Sequence, residues 1–206
     1  PIYQPYSTTA PVVDYFYNNS WAEDVRQLLI NSCSIGFSGT SGFSILEDEP
    51  NHSPAFANLA QLAYQQKQFA NSYAYFKKAF DVPDDSPFAM SQDPTFRAET
   101  LYRYSLASTK MGKQGHSKKL LEEAIGLVPS NATYQFELGN LLIGEQQFNT
   151  ALKHLEIANA LQPNNPRILA ALGFSWFKLE EASQSVLFLE NAVKLAPTFA
   201  LGWFHL

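Results

Sequence analysis

The chain of 206 residues has little of what several classes of protein require. Its single cysteine, Cys33, excludes an internal disulfide framework and an all-cysteine metal site, and it is compatible with a reducing compartment. No apolar run approaches the roughly eighteen residues that identify a transmembrane helix. The opening residues, PIYQPYSTTAPVV, are polar and interrupted by proline, unlike a signal peptide. We therefore predict a cytoplasmic protein without a membrane span. An extracytoplasmic location after signal removal stays open, because the sequence does not begin with methionine.

Positive charge is also scarce. The chain has 14 lysines and arginines against 19 aspartates and glutamates, and its formal net charge is −5. Residues 1–52 contain one base, Arg26, among several acidic residues, a composition too dilute to form a charged tail. A nucleic-acid partner would require a basic surface, so we predict none.

The residue types of common active sites are present but scattered. No two of the four histidines have the spacing of metal ligands on a helix, and Cys33 lacks the flanking glycines of a nucleophile elbow. The segment GFSGTSG at 36–42 lacks the ending of a phosphate-binding loop. The adjacent glutamates at 122–123 and at 180–181 diverge by about 100° on a helix, so neither pair forms a carboxylate dyad. We predict no catalytic residue, no metal site and no cofactor.

A period of 34 residues runs through most of the chain. The stretch LGNLLIGEQQFNTALKHLEIANALQPNN begins at Leu138, and LGFSWFKLEEASQSVLFLENAVKLAPTF begins at Leu172, with glycine, leucine, alanine and proline at matching positions. Two earlier units extend the match, so that units start at 53, 98, 132 and 166. The eighth, twentieth and twenty-seventh positions of the four units hold only alanine, serine or glycine, namely Ala60, Ser105, Gly139, Gly173, Ser72, Ser117, Ala151, Ser185, Ala79, Ala124, Ala158 and Ala192.

Each unit is predicted to form two amphipathic helices of about fourteen residues. The small residues let the two backbones approach closely, and large residues at the seventh and twenty-fourth positions fill the seam between them. A proline near the thirty-second position stops the second helix because it cannot continue one. The seam residues are Leu59, Tyr104, Leu138, Leu172, Phe76, Leu121, Leu155 and Leu189.

This pattern resembles the tetratricopeptide repeat, a 34-residue helix–turn–helix with small residues at positions 8, 20 and 27 and proline at 32. The resemblance covers roughly residues 53–199. It implies an all-α fold, an α-solenoid of stacked helix–turn–helix repeats that winds as a right-handed superhelix. The predicted repeats are 53–86, 98–131, 132–165 and 166–199.

Three segments fall outside these repeats. The insertion at 87–97 contains two prolines and is interpreted as a loop that extends the end of the first unit. Residues 1–52 are interpreted as an irregular or degenerate-repeat N-terminal cap. Residues 200–206 start a further, truncated repeat, with Trp203 and Leu206 at its fourth and seventh positions. Because half a repeat cannot bury its own apolar face, we expect either a longer parent protein or self-association through this end.

In the tetratricopeptide repeat family, the concave groove is lined from about positions two, five, six, nine, twelve and thirteen of the first helix. The resemblance therefore implies a partner-binding groove of aromatic rings, amides and two cations, a mixture suited to holding a peptide. The alternative for any single ring is packing against the neighbouring helix. The predicted groove residues are Gln61, Tyr64, Tyr102, Arg103, Phe136, Asn140, Phe174, Phe177 and Lys178.

Chaperone-binding members of the family clamp a terminal carboxylate with lysine, asparagine and arginine at positions two, five, six and nine of three successive units. Positions five and six of this chain do not supply that set, so binding of the Hsp70/Hsp90 tail is not expected. The residues at those positions are Ala57, Tyr102, Phe136, Ala170, Asn58, Arg103, Glu137 and Ala171.

The sequence thus favours a non-enzymatic scaffold that binds a segment of a partner protein in its concave groove. One alternative is a substrate-recruiting region of a larger enzyme, for example a transferase, whose catalytic domain lies outside this chain. A third hypothesis is that the protein is a secretion or assembly chaperone. Fold alone does not separate them, because function depends on the site.

Overall fold

The computed structural model describes residues 52–83, 86, 89 and 93–197. All of the predicted cap except His52, residues 87, 88 and 90–92 of the predicted insertion, and the whole truncated repeat lie outside these residues. Within them, the regular elements are all α-helices. In chain order the helices are α1 (Ser53–Gln65), α2 (Phe69–Asp81), α3 (Pro94–Lys110), α4 (Gln114–Leu127), α5 (Ala132–Gly144), α6 (Phe148–Leu161), α7 (Pro166–Lys178) and α8 (Ala182–Leu195).

The helices pack as pairs of sequence neighbours: α1 with α2, α3 with α4, α5 with α6, and α7 with α8. Consecutive pairs also touch, since α4 packs on α5 and α6 packs on α7. The chain divides into two compact units, Pro1–Gln92 and Asp93–Leu206. The first unit contains α1 and α2, and the second contains the three stacked pairs from α3 to α8. This is the all-α helical-repeat architecture predicted from the sequence.

The first helix of each pair in the second unit begins at a capping side chain. Asp93, Asn131 and Asn165 accept hydrogen bonds from backbone N–H groups of the first turn that follows them. Such acceptors stabilise a helix start because the first four N–H groups have no partner inside the helix. Helix α3 begins at Pro94, so residues 94–97, which the sequence assigns to the insertion, form its first turn.

The turn inside each pair uses one residue with left-handed backbone conformation. Its φ is 71° at Gly112, 61° at Lys67, 61° at Gln146 and 63° at Glu180. The left-handed region is open to glycine but costs energy in residues that carry a Cβ atom. The fold therefore requires this conformation once per pair, and three of the four pairs adopt it without glycine.

Two glycines show why the eighth position must be small. A Cβ atom built on Gly139 would lie 2.7 Å from Leu155 Cδ2, and one built on Gly173 would lie 2.6 Å from Leu189 Cγ. Both leucines are fully buried, so they have no room to move away. The seam leucines predicted from the repeat thus pack directly against the glycine of the partner helix.

Among the described residues, no helix is long and apolar enough to cross a membrane.

Candidate functional site

The first helices of the second unit, α3, α5 and α7, contact one another through their side chains. The Tyr102 ring on α3 lies 5.1 Å from the Tyr134 ring on α5, measured between centroids. The Arg167 guanidinium on α7 lies 5.1 Å from the centroid of the Phe136 ring on α5. We call the surface formed by α3, α5 and α7 the first-helix surface. Seven of the nine predicted groove residues lie on these three helices.

A small polar cluster joins α3 to α5 on this surface. The Glu99 carboxylate accepts hydrogen bonds from Arg103 Nε at 2.8 Å and from the Tyr134 hydroxyl at 3.0 Å. Burial, followed by the neighbouring Glu99 carboxylate, raises the pKa of the Tyr134 hydroxyl well above its usual value. Arg103, a predicted groove residue, thus forms an ion pair with Glu99 of the same helix while part of its side chain stays exposed.

The next part of the surface joins α5 to α7. Phe136, predicted to line the groove, is only 8% exposed and has the Arg167 guanidinium above its ring. This arrangement is a cation–π contact, which stabilises the position of both side chains. The neighbouring Glu137 lies beside Asn140, another predicted groove residue, whose amide acts to lower the pKa of the Glu137 carboxyl.

A cavity of about 220 Å³ opens beside Glu137 and Asn140, between α3, α4 and α5. Leu106 of α3, Leu121 of α4 and Leu141 of α5 give it apolar walls. Burial raises the pKa of the Glu137 carboxyl, and the Arg167 charge and the Asn140 amide offset this only in part. We call this cavity the Glu137 pocket.

The remaining polar walls of the Glu137 pocket are hydroxyl groups that bond within α3 and α4. The Ser117 hydroxyl donates to the Ser105 carbonyl at 2.9 Å, and the Thr109 hydroxyl donates to the same carbonyl at 3.1 Å. The Thr109 and Ser117 oxygens are also 2.8 Å apart. Because these hydroxyls hold the two helices together, Glu137 and Asn140 are the pocket side chains suited to meeting a ligand.

The end of α7 carries a cluster of rings and one cation. The Lys178 ammonium lies 5.3 Å from the Phe174 ring centroid and 5.5 Å from that of Phe177. Phe174 also contacts Phe148 edge to face, with 6.5 Å between centroids. Phe177 is 52% exposed, the largest apolar exposure on the first-helix surface. All three predicted groove residues on α7 therefore belong to one cluster.

The remaining predicted groove residues, Gln61 and Tyr64, lie on α1 in the first unit. Both are half-buried. The Tyr64 ring contacts Phe69 of α2 edge to face at 5.3 Å, as expected for a ring that packs within its own helix pair.

Four residues of the first-helix surface were not among those predicted from the sequence: Glu99, Tyr134, Glu137 and Arg167. Three of them, Glu99, Glu137 and Arg167, occupy positions two and six of their units, which are among the positions expected to line the groove. Acidic and basic residues at those positions on adjacent units were the signal that could have identified them. Tyr134 is at position three, outside the register, and its role follows from its contacts with Glu99 and Tyr102.

The resemblance to the tetratricopeptide repeat family is confirmed by comparison with known proteins. Residues 53–85 match the family model of the tetratricopeptide repeat. No curated protein sequence matches the chain.

Several solved structures share the fold. YrrB, described as a TPR protein with an unusual peptide-binding site, is 14% identical with a TM-score of 0.70, covering 94% of this chain and 89% of YrrB. A structure of MamA is 17% identical with a TM-score of 0.66, covering 79% of this chain and 88% of MamA. PilF of Pseudomonas aeruginosa is 17% identical with a TM-score of 0.65, covering 79% of this chain and 69% of PilF. At these identities the likeness shows the fold alone.

Proposed function

We propose that this chain, a solenoid of tetratricopeptide repeats, holds an extended segment of a partner protein on its first-helix surface. The fold is one that generally serves as a non-catalytic interaction scaffold, and YrrB, a structural neighbour, is described as having a peptide-binding site. The observation that carries the proposal is the combination of rings, paired charges and an open pocket on three consecutive first helices.

The rings supply contact area. Tyr102 is half-buried against Tyr134, and Phe174 is half-buried between Phe148 and Lys178, so each ring is held in place while part of it stays accessible. Aromatic side chains anchored in this way dominate many interfaces because they bury large area with little loss of rotamer freedom.

The polar groups supply orientation. Asn140 and the carboxylate of Glu137 lie at the pocket, and Arg103 and Lys178 keep part of their side chains exposed. Amides and charges placed among rings can hydrogen-bond the backbone of an extended segment and set its direction. Two acidic side chains, Glu99 and Glu137, lie among the basic side chains of this surface, which favours a partner segment of mixed charge over a uniformly charged one.

The test compares two double variants of the 206-residue chain in capture from its native lysate, read by mass spectrometry. Tyr102→Ala with Phe174→Ala removes two rings of the first-helix surface. Ile157→Ala with Leu187→Ala removes two exposed apolar side chains, 43% and 53% exposed, from the second helices α6 and α8. We expect a partner that is retained by wild type and by the second variant and is lost with the first.

Equal capture by all three proteins would reject the proposal. A partner lost only with the α6 and α8 variant would place binding on the second helices instead. If no captured protein depends on either surface, the recruiting region of a larger enzyme becomes the better hypothesis. The prediction that the chain does not bind the Hsp70/Hsp90 tail is tested with the same wild-type protein and a terminal peptide from those chaperones.

A further inference from the structure

We propose that the Glu137 pocket receives a lysine side chain of the bound segment, whose ammonium group donates hydrogen bonds to Glu137. This inference rests on the proposed function, because it adds a side-chain preference to binding on the first-helix surface. It concerns the place where α3, α4 and α5 meet.

The lining and the volume of the pocket suit a long aliphatic stem. Three leucines, Leu106, Leu121 and Leu141, form its apolar walls, and its volume of about 220 Å³ leaves room for a single side chain rather than a folded element. The four methylene groups of lysine are removed from water against such walls, which is favourable. A short polar side chain would leave the half-buried Leu106 and Leu141 uncovered.

The charge of the pocket selects a cation. Glu137 is the one charged side chain among the described residues that line it. Burial penalises this carboxylate, and Arg167, which lies above Phe136, compensates for only part of that penalty. An arriving ammonium group would supply the missing opposite charge, whereas an aspartate, a glutamate or a phosphorylated residue would be repelled.

Lysine fits this carboxylate better than arginine does. A guanidinium group binds a carboxylate through two parallel hydrogen bonds and needs both oxygens in one plane. The Asn140 amide lines the same pocket and interacts with the Glu137 carboxylate, so it competes for one of the two carboxylate oxygens. An ammonium group is compact, can rotate its three donors, and can bond to a single carboxylate oxygen.

The experiment begins with random twelve-residue peptides displayed on phage and selected on the 206-residue chain. Each selected peptide that carries lysine is then synthesised with lysine and with norleucine, which keeps the stem but replaces the ammonium group by a methyl group. Affinity is measured by fluorescence anisotropy for wild type, for Glu137→Gln and for Glu156→Gln. Glu156 is an exposed glutamate on α6, so its variant controls for the loss of one negative charge.

We expect norleucine to weaken binding to wild type and to Glu156→Gln by about tenfold, the loss of one charge-assisted hydrogen bond. With Glu137→Gln, the lysine and norleucine peptides should bind within about twofold of each other. Equal weakening by norleucine in all three proteins would overturn the assignment of Glu137. Thermal melting of each variant checks that it is folded.

The same experiment separates this inference from the proposed function. Selected peptides that depend on Tyr102 and Phe174 but show no enrichment of lysine would leave the proposed function intact and overturn the lysine pocket. If no peptide depends on those rings, the proposed function fails, and N-acetyl-lysine amide is titrated into the protein as a direct probe. Chemical-shift changes at Glu137 and Asn140 on addition of this probe, absent in Glu137→Gln, would support the assignment of the pocket to lysine. The absence of such changes in wild type would overturn it.

Discussion

The α1–α2 pair and the α3–α4 pair use different chemistry at the same positions of the repeat. At the twentieth position, the Ser117 hydroxyl of α4 donates to the Ser105 carbonyl of α3. The hydroxyl of Ser72 in α2 is equally buried but has no hydrogen-bond partner in the described part of the chain. In the turn, α3–α4 has Gly112, whereas α1–α2 has Lys67 with almost the same φ.

This difference separates what the repeat requires from what it tolerates. Both pairs need a small residue at the helix contact and a left-handed residue in the turn, because two backbones must approach closely and then reverse. The hydrogen bond at the contact and the glycine in the turn are present in one pair and missing in the other. They add stability without being conditions for the fold.

The largest effect is expected at the twenty-seventh position, where these two pairs and the α5–α6 pair agree. Ala79, Ala124 and Ala158, at the twenty-seventh position, are all completely buried. Ala158→Leu should reduce the free energy of unfolding by roughly 1–3 kcal/mol, because the larger side chain has no space at the helix contact. Ala160→Leu, an exposed position on the same helix, is the control. Urea denaturation measures both, and equal stability of the two variants would show that the repeat frame is misplaced.

Substitution of the left-handed turn residue should change stability by a smaller amount, and in opposite directions in the two pairs. Gly112→Ala should cost about 1 kcal/mol, since an added Cβ meets no atom within 4 Å and the penalty comes from backbone conformation alone. Lys67→Gly should stabilise the protein by less than about 1 kcal/mol, because glycine also gains freedom in the unfolded chain. Melting temperatures of the two variants should therefore move in opposite directions. If both fall, the left-handed conformation at Lys67 is not strained.

The free energies of unfolding of Ser117→Ala and Ser72→Ala are expected to differ by about the contribution of one hydrogen bond. Ser117→Ala should lower the free energy of unfolding by about 1 kcal/mol, because it removes the donor to the Ser105 carbonyl. Ser72→Ala should leave stability unchanged or raise it slightly, since it removes a buried hydroxyl without a described partner. The two variants have the same change of atoms, so chemical denaturation of both isolates the hydrogen bond. Equal losses would contradict this account.

A pH effect is expected where the α3–α4 pair meets α5. The pKa of Glu137 is raised above its usual 4.5 in the folded protein, so the folded state binds this proton more tightly than the unfolded state. The resulting stabilisation is fully present below pH 4.5 and is lost as the pH rises through the folded pKa. Glu137→Gln should therefore gain stability relative to wild type as the pH rises through that window. Urea denaturation at a series of pH values would contradict this if the difference stayed constant.

The fold was predictable because every repeat requires the same residue types at the same positions. The small residues at positions 8, 20 and 27 and the leucines of the seam recur with the period of the chain, and the structure buries them in helix pairs. The starts of the helices were less predictable: Asp93 caps α3 earlier than the repeat frame implies, because capping depends on local side chains rather than on the period.

The candidate site was only partly predictable. The repeat register placed Tyr102, Asn140 and Phe174 on the first helices, where the structure has them. It did not identify the Glu137 pocket, because that cavity is made by three helices from two different pairs. It also could not show that Arg167 lies over Phe136, since the contact joins residues of separate repeats.

Burial at equivalent repeat positions also depends on tertiary contacts that the repeat pattern does not reveal. Leu152 and Val186 both occupy position 21 of their units, yet Leu152 is 5% exposed and Val186 is 47% exposed. Helix α6 packs against both α5 and α7, whereas α8 packs mainly against α7 among the described residues. The sequence by itself determined the helices, their pairing and the small residues at each contact, because these follow from local spacing. The tertiary structure alone decided which side chains are covered and where a charged pocket opens, because both depend on which helix lies alongside.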